Sequence, residues 1–153
     1  MRNSNSFIEG RVAEELFLTH PSVRLISRST KSQDIFEHWD FLVDVGGLEG
    51  VRVDVKSRKR KNRGDSGFME DQWIETQNVG GKPGWAIPND AKHRMIAFQT
   101  KDQWVLCSPQ DLVALCEREG YQEKTRAGRK DIIMRAPIEH LKSVARVCLH
   151  IER

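Results

Sequence analysis

The chain has 153 residues, a net charge of +3, 31% charged residues and three cysteines. That length suits one domain with its own core. No window approaches the ~18 consecutive apolar residues of a membrane span, and no apolar signal-peptide stretch follows the first residues. Cys107, Cys116 and Cys148 form no Cys-x-x-Cys pair, which argues against a disulfide framework or zinc knuckle and for an intracellular setting.

Ser6 and Glu9 have capping-box spacing and open a helix expected to run to Thr19, with Ile8, Val12, Leu16 and Phe17 as its apolar stripe. Val23 to Ile26 reads as a short strand, and Arg28 to Glu37 as a polar loop. Two strands follow, His38 to Val45 and Val51 to Lys56, joined by a turn over Gly46 to Gly50. Alternation sends Trp39, Phe41, Val43, Val51, Val53 and Val55 to one face. Asp40, Asp44, Arg52, Asp54 and Lys56 take the other.

Residues 56–63 hold six of the 25 basic residues and no acid; removing those six leaves 19 basic against 22 acidic. The positive charge is therefore concentrated directly after Lys56, as a surface for a phosphate backbone requires. A solvated, mobile loop accounts for such a run equally well. Gln72 to Val79 resumes strand character and ends in the glycine-rich turn Gly80 to Gly84. Arg94 to Gln99 and Gln103 to Cys107 are two further strands. Ser108 then caps a helix with Pro109 at its first position and Gly120 at its end, burying Leu112, Leu115 and Cys116. Ile132 to Met134, a short helix from Pro137 to Val144, and Val147 to Ile151 complete the chain. The order of elements predicts a single α/β domain over residues 1–153, with a mixed sheet flanked by helices.

Register decides which aspartate shares the face with Asp54. A turn centred on Leu48 puts Asp40 opposite Lys56 and diagonal to Asp54; a turn centred one residue earlier puts Asp40 opposite Asp54. Opposed residues have Cβ atoms about 4.5–5.5 Å apart and diagonal ones about 7–8 Å, so either register lets both carboxylates bind one divalent cation. Asp44 falls nearer the turn, as a surface or turn residue. Hard oxygen donors favour Mg²⁺ or Mn²⁺. Lys56, which cannot ligate while protonated, could orient an attacking water or stabilise charge on a phosphoryl oxygen. An isolated Asp-x-Lys is far more often an exposed charge pair.

Asp40, then Asp54-Val55-Lys56 after a hairpin, behind a helix carrying Glu14, resembles the PD-(D/E)XK nuclease superfamily. In detail the chain is similar to its small phage-type nucleases, through Gln33-Asp34 to His38-Trp39-Asp40, Trp73-Ile74-Glu75 to Trp85 with its Asn78-Val79-x-Gly81-x-Pro83-Gly84 core, and Met95 to Phe98. The resemblance implies a restriction-endonuclease-like fold with an α-β-β-β-α-β core, and a DNA-cleaving hydrolase dependent on Mg²⁺ or Mn²⁺. It implies Asp40, Asp54 and Glu14 as metal ligands and Lys56 as catalytic lysine, with Glu15 the alternative first-helix acid by helical projection. For a phage-encoded nuclease the compartment would be the cytoplasm of a bacterial host. Trp39 stands where the motif has proline, and Gln77 where relatives often carry lysine. DNA is the expected partner, through Arg58, Lys59, Arg60, Lys61, Arg63 and Lys82. A junction-resolving version would require a homodimer. A non-catalytic DNA-binding module on the same fold is the rival reading. Glu75 and Gln77 share an expected strand face with Trp73, while Trp73, Trp85 and Trp104 could stack on bases or belong to the core.

Overall fold

A computed structural model describes residues 4–60, 67–125 and 127–152. Helix α1 (Ser4–Leu18) leads into strand β1 (Val23–Arg28). A second helix, α2 (Lys31–Glu37), occupies the stretch expected to be a loop. Thr30 caps it: the hydroxyl accepts from the Gln33 N–H at 3.1 Å, and the Gln33 side chain accepts from the Thr30 N–H at 2.8 Å. This reciprocal box satisfies orphan donors of the first turn and explains a helix with no buried residue.

The hairpin comprises β2 (Phe41–Val45) and β3 (Leu48–Lys56). Its turn is only Gly46-Gly47, both at positive φ, which suits a two-residue hairpin. The expected five-residue turn is shorter because β3 begins at Leu48 and absorbs Gly50 by a register shift between Val43 and Val45. Strands β4 (Asp71–Gln77), β5 (Arg94–Gln99) and β6 (Gln103–Cys107) follow, then helix α3 (Pro109–Glu119). Ser108 caps α3 by accepting from the Asp111 N–H at 3.1 Å, and Gly120 ends it at φ 60°. The chain closes with β7 (Glu123–Lys124), β8 (Ile132–Pro137), helix α4 (Ile138–Ser143) and β9 (Val147–His150).

Six strands form one mixed sheet in the order β1-β2-β3-β5-β6-β9, with β3 and β5 parallel and the other pairs antiparallel. A smaller antiparallel sheet has the order β4-β8-β7. The connection from β3 to its parallel neighbour β5 contains β4 and its turn. The α-β-β-β-α-β core implied by the resemblance has a helix at that point; here α3 comes after β6.

The central strand β5 is buried on both faces, as a strand paired in parallel with helices above and below should be. Met95 and Ala97 join one core with Phe41, Val43, Val51, Val53, Val55 and Trp104 beneath α1. Ile96 and Phe98 join a second with Ile74 of β4, Leu112 and Leu115 of α3, and Leu141 of α4. The chain is thus one α/β domain with a mixed sheet and, among the described residues, four helices. None is long and apolar enough to cross a membrane. All three cysteines are free thiols.

Helix α1 is rotated relative to expectation. Ala13 and Phe17 are buried, Phe17 meeting Trp104 edge-on at 5.2 Å, whereas Ile8 and Val12 are 57% and 60% exposed and Leu16 lies at the surface. The small Ala13 lets the helix approach the sheet closely, and the rotation turns Glu14 inward with this face while Glu15 points out.

Candidate active site

The site is built at one end of the hairpin. Strand pairing runs Phe41↔Val53, Leu42↔Arg52 and Val43↔Val51, and the same register continued one step past the start of β2 would face Asp40 with Asp54. This is the second of the two registers. Two hydrogen bonds tie Asp40 to β3 on either side of Asp54: the Asp40 N–H donates to Val53 O at 2.8 Å, and the Val55 N–H donates to the side-chain Oδ2 of Asp40 at 2.8 Å. His38, at φ 58°, ends α2 and delivers the chain through the buried Trp39 to Asp40.

Asp54 lies between Val53 and Val55, on the face away from α1, and is only 5% exposed. Its Oδ1 is 3.4 Å from the Lys56 ammonium. That ammonium also stands 4.5 Å from the centre of the Trp85 ring, a cation–π contact that holds it over the site. Trp85 in turn packs on Phe98 of β5.

Asp40 carries the clearest electrostatic mark. Burial, and then the Asp54 charge, push its carboxyl up to about 9, with Glu14 adding to the rise and the Val55 N–H and Lys56 opposing it. Glu14, half-buried on α1, is also raised, mainly by burial; Arg11 opposes, while Asp34 and Asp54 add to the rise. Glu15 belongs elsewhere. It is exposed, bonds Arg28 at 3.0 Å, and is lowered by that bond. Of the two candidate acids on α1, Glu14 is therefore the one in the field of Asp40 and Asp54. Asp44 is also apart from the site, accepting from the Gly50 N–H at 2.8 Å and pairing with Arg24.

A fourth carboxylate enters from the smaller sheet. Glu75 on β4 is raised first by burial and further by Asp131 and Asp54, while Lys56 and the Trp85 N–H pull it down. Its backbone is locked to the Trp85 segment: Glu75 O accepts from the Ala86 N–H at 3.0 Å, and a Cβ at Gly84 would come within 2.4 Å of that same oxygen. Only glycine fits there. Gln77 does not share the face of Trp73 and Glu75. A register shift between Glu75 and Gln77 pairs Glu75 with Ile133 and Gln77 with Ile132, and successive residues of β8 point to opposite sides. The Gln77 amide donates instead to Lys130 O at 2.6 Å.

Arg94 has no place in the sequence reading. It is 5% exposed at the head of β5 and donates to three carbonyls: His38 O at 3.2 Å, Trp85 O at 2.7 Å and Ile87 O at 2.8 Å. It thus ties the segment before Asp40 to the segment carrying Trp85. A lone arginine opening an otherwise apolar run, Arg94 to Phe98, was the available hint.

The basic run is packed where it is described. The Arg58 and Arg60 guanidiniums lie 4.1 and 4.5 Å from the centre of the Phe68 ring, and Lys59 lies 5.2 Å from that of Trp73. Arg60 also donates to Glu9 of α1 at 2.5 Å. The expected mobile, solvated loop is not what residues 58–60 form. Lys61 and Arg63 lie outside the described residues. Lys82 is exposed on the turn after β4, its N–H donating to Asn78 Oδ1 at 3.0 Å. Trp104 belongs to the core, while Trp73 and Trp85 lie beneath lysines.

Among the described residues, no three His, Cys, Asp or Glu side chains converge as they stand into a group that could hold a metal ion. The donor set nevertheless suits a hard cation. It offers carboxylate oxygens only, and burial with mutual repulsion resists their ionisation. Comparison with models of known families, with curated proteins and with solved structures found no match.

Proposed function

We propose that the protein is a divalent-metal-dependent nuclease of restriction-endonuclease-like fold, hydrolysing phosphodiester bonds in DNA. The observation that carries this reading is the end of the hairpin, where Asp40 bonds to Val53 and Val55 on either side of Asp54 and the Lys56 ammonium lies 3.4 Å from Asp54. Asp40 and Asp54, with Glu14 from α1, would hold Mg²⁺ or Mn²⁺. The cation, when bound, offsets the carboxylate charge and makes a coordinated water more acidic. Lys56 aligns the attacking water and stabilises the charge growing on the phosphoryl oxygen. Trp85 restricts where its ammonium can go, and Arg94 fixes Trp85 relative to the backbone leading to Asp40. Arg58, Lys59 and Arg60 hold the phosphate backbone without reading sequence.

A non-catalytic DNA-binding module is favoured by one observation, that among the described residues no three ligands converge as the side chains stand. The two readings separate in one assay. Purified protein should nick plasmid or four-way-junction DNA with Mg²⁺ or Mn²⁺, and Asp54→Ala or Lys56→Ala should abolish nicking while leaving binding intact. DNA binding without cleavage under either metal would establish the module instead.

A further inference from the structure

Strand β4 runs past the site, and cationic side chains occur on both sides of it along the strand. Trp73, two residues before Glu75, lies under the Lys59 ammonium at 5.2 Å. Glu75 lies beside the Trp85 segment, whose ring packs against Lys56. Beyond Gln77 the chain turns back, with Gln77 bridged to Pro83 and the Asn78 N–H donating to Lys82 O at 2.8 Å. The exposed Lys82 therefore projects beyond the far end of the strand.

Lys130 joins it there. The Lys130 stem lies over Gly81, where a Cβ would be 3.2 Å from Lys130 Cδ, and Gly81 is at φ 81°. The Gln77 amide holds the Lys130 carbonyl from below. Two lysines from separate segments are thus gathered on one turn, three residues past Glu75, while Lys59 stands two residues before it.

From Trp73 to Asn78, one residue past the end of β4, is five residue steps, at most roughly 17 Å at about 3.3 Å each. One strand of a duplex rises about 3.4 Å per nucleotide, so this length matches about five nucleotides. Glu75 falls within that length, and Lys56 is reached from it through the bonded Trp85 segment. We infer that the course of β4 is a backbone track engaging nucleotides on both sides of the scissile phosphate, with Lys59 near one end and Lys82 and Lys130 at the turn beyond the other as a second phosphate-contact pair, so that cleavage is internal rather than from an end. This rests on the nuclease reading and narrows it to an endonuclease.

The test uses covalently closed circular plasmid, which has no ends, beside a linear duplex end-labelled on either strand, each with Mg²⁺ or Mn²⁺. Wild type should convert closed circles to nicked circles, and give internal fragments from the duplex. On short duplexes trimmed to the cut site on one side or the other, kcat/KM should fall at least tenfold for either truncation. Lys82→Gln with Lys130→Gln should lower kcat/KM on the full duplex about tenfold and abolish the penalty for trimming one side only, while Lys59→Gln does so for the other side. Both lysines are exposed, and circular dichroism verifies the fold. Intact circles alongside stepwise release of nucleotides from linear ends would overturn the inference and leave the nuclease standing. Circle nicking with no effect of the lysine variants would overturn the track. No cleavage of any substrate would remove the nuclease reading itself.

Discussion

Asp40→Asn separates what the carboxylate does for the fold from what it does for the site. In the wild type the Asp40 carboxyl moves from an ordinary 3.8 to about 9, through burial and the neighbouring Asp54. Between those values the folded chain holds a proton that the unfolded chain has lost. The stability from this group is therefore complete below about pH 4 and declines as pH rises toward 9, with a slope of about 1.4 kcal/mol per pH unit. From pH 5 to pH 8 the loss is about 4 kcal/mol, a large part of the ~5–15 kcal/mol that a domain possesses. Asparagine keeps an oxygen for the Val55 N–H but cannot ionise. In EDTA, urea unfolding at stepped pH should give an Asp40→Asn variant whose advantage over wild type grows by about that amount across the interval. Glu14 and Glu75 titrate in both proteins and largely cancel in the difference. Saturating Mg²⁺ should flatten the wild-type slope and leave the variant unmoved, and the variant should cleave no DNA. Parallel pH profiles for the two proteins would refute the argument that Asp40 is held against its own ionisation.

Three other perturbations test separate parts of the structure. Arg94→Met strips three carbonyls of their donor and should cost about 3–5 kcal/mol in urea unfolding, since each buried acceptor left unpaired costs about 1–3 kcal/mol and some will find water; an unchanged midpoint would mean the guanidinium ties nothing together. Gly84→Ala drives a Cβ to within 2.4 Å of Glu75 O, and should destabilise by at least the ~1–3 kcal/mol of ordinary overpacking, a Tm near wild type being the contrary result. Changing Arg58, Lys59 and Arg60 together to alanine should weaken DNA binding and reduce the slope of log K against log salt by up to about 2.7, at about 0.9 per phosphate contact; an unaltered slope would leave these residues as a structural packing unit only.

How much of this was legible in the sequence depended on the range of the interaction responsible. Helix α3 was readable to its caps because Ser108, Pro109 and Gly120 act on their own turns. The placing of Asp40 beside Asp54 was readable to within one register step; what the sequence left open was the turn, and the two-glycine turn together with the register shift after it resolved it. Helix α2 carried a local mark, Thr30-x-x-Gln33, but no apolar periodicity, so composition pointed to a loop. The orientation of α1 was not legible at all. Ile8, Val12 and Leu16 form the better stripe on paper, yet the sheet accepts the smaller Ala13 with Phe17, a choice made by the shape of the surface beneath. Arg94 belongs to the same class, and Glu75, singled out together with Gln77, could not be told from it by strand face. Their significance lies in carbonyls and carboxylates that only the tertiary fold brings near, and in a bulge that reverses the side on which Gln77 emerges.

The hairpin also contains its own control. Asp40 and Asp44 are four residues apart on the same stretch of chain, and the pattern alone assigns them to one face. Asp44 is given partners that suit an ionised carboxylate, the Gly50 N–H and the Arg24 guanidinium, which together lower its pKa. It closes a turn and stabilises it. Asp40 receives one backbone N–H and is otherwise set against Asp54 and Glu14 in a buried place. The cations nearby relieve it only in part, Lys56 opposing the rise without cancelling it. Lys56 is directed to Asp54 and Trp85, and Arg94 donates to the carbonyls of His38, Trp85 and Ile87. If stability alone were at stake, asparagine would be the better residue at position 40 at neutral pH, which is why the variant that gains stability there is the one expected to lose function.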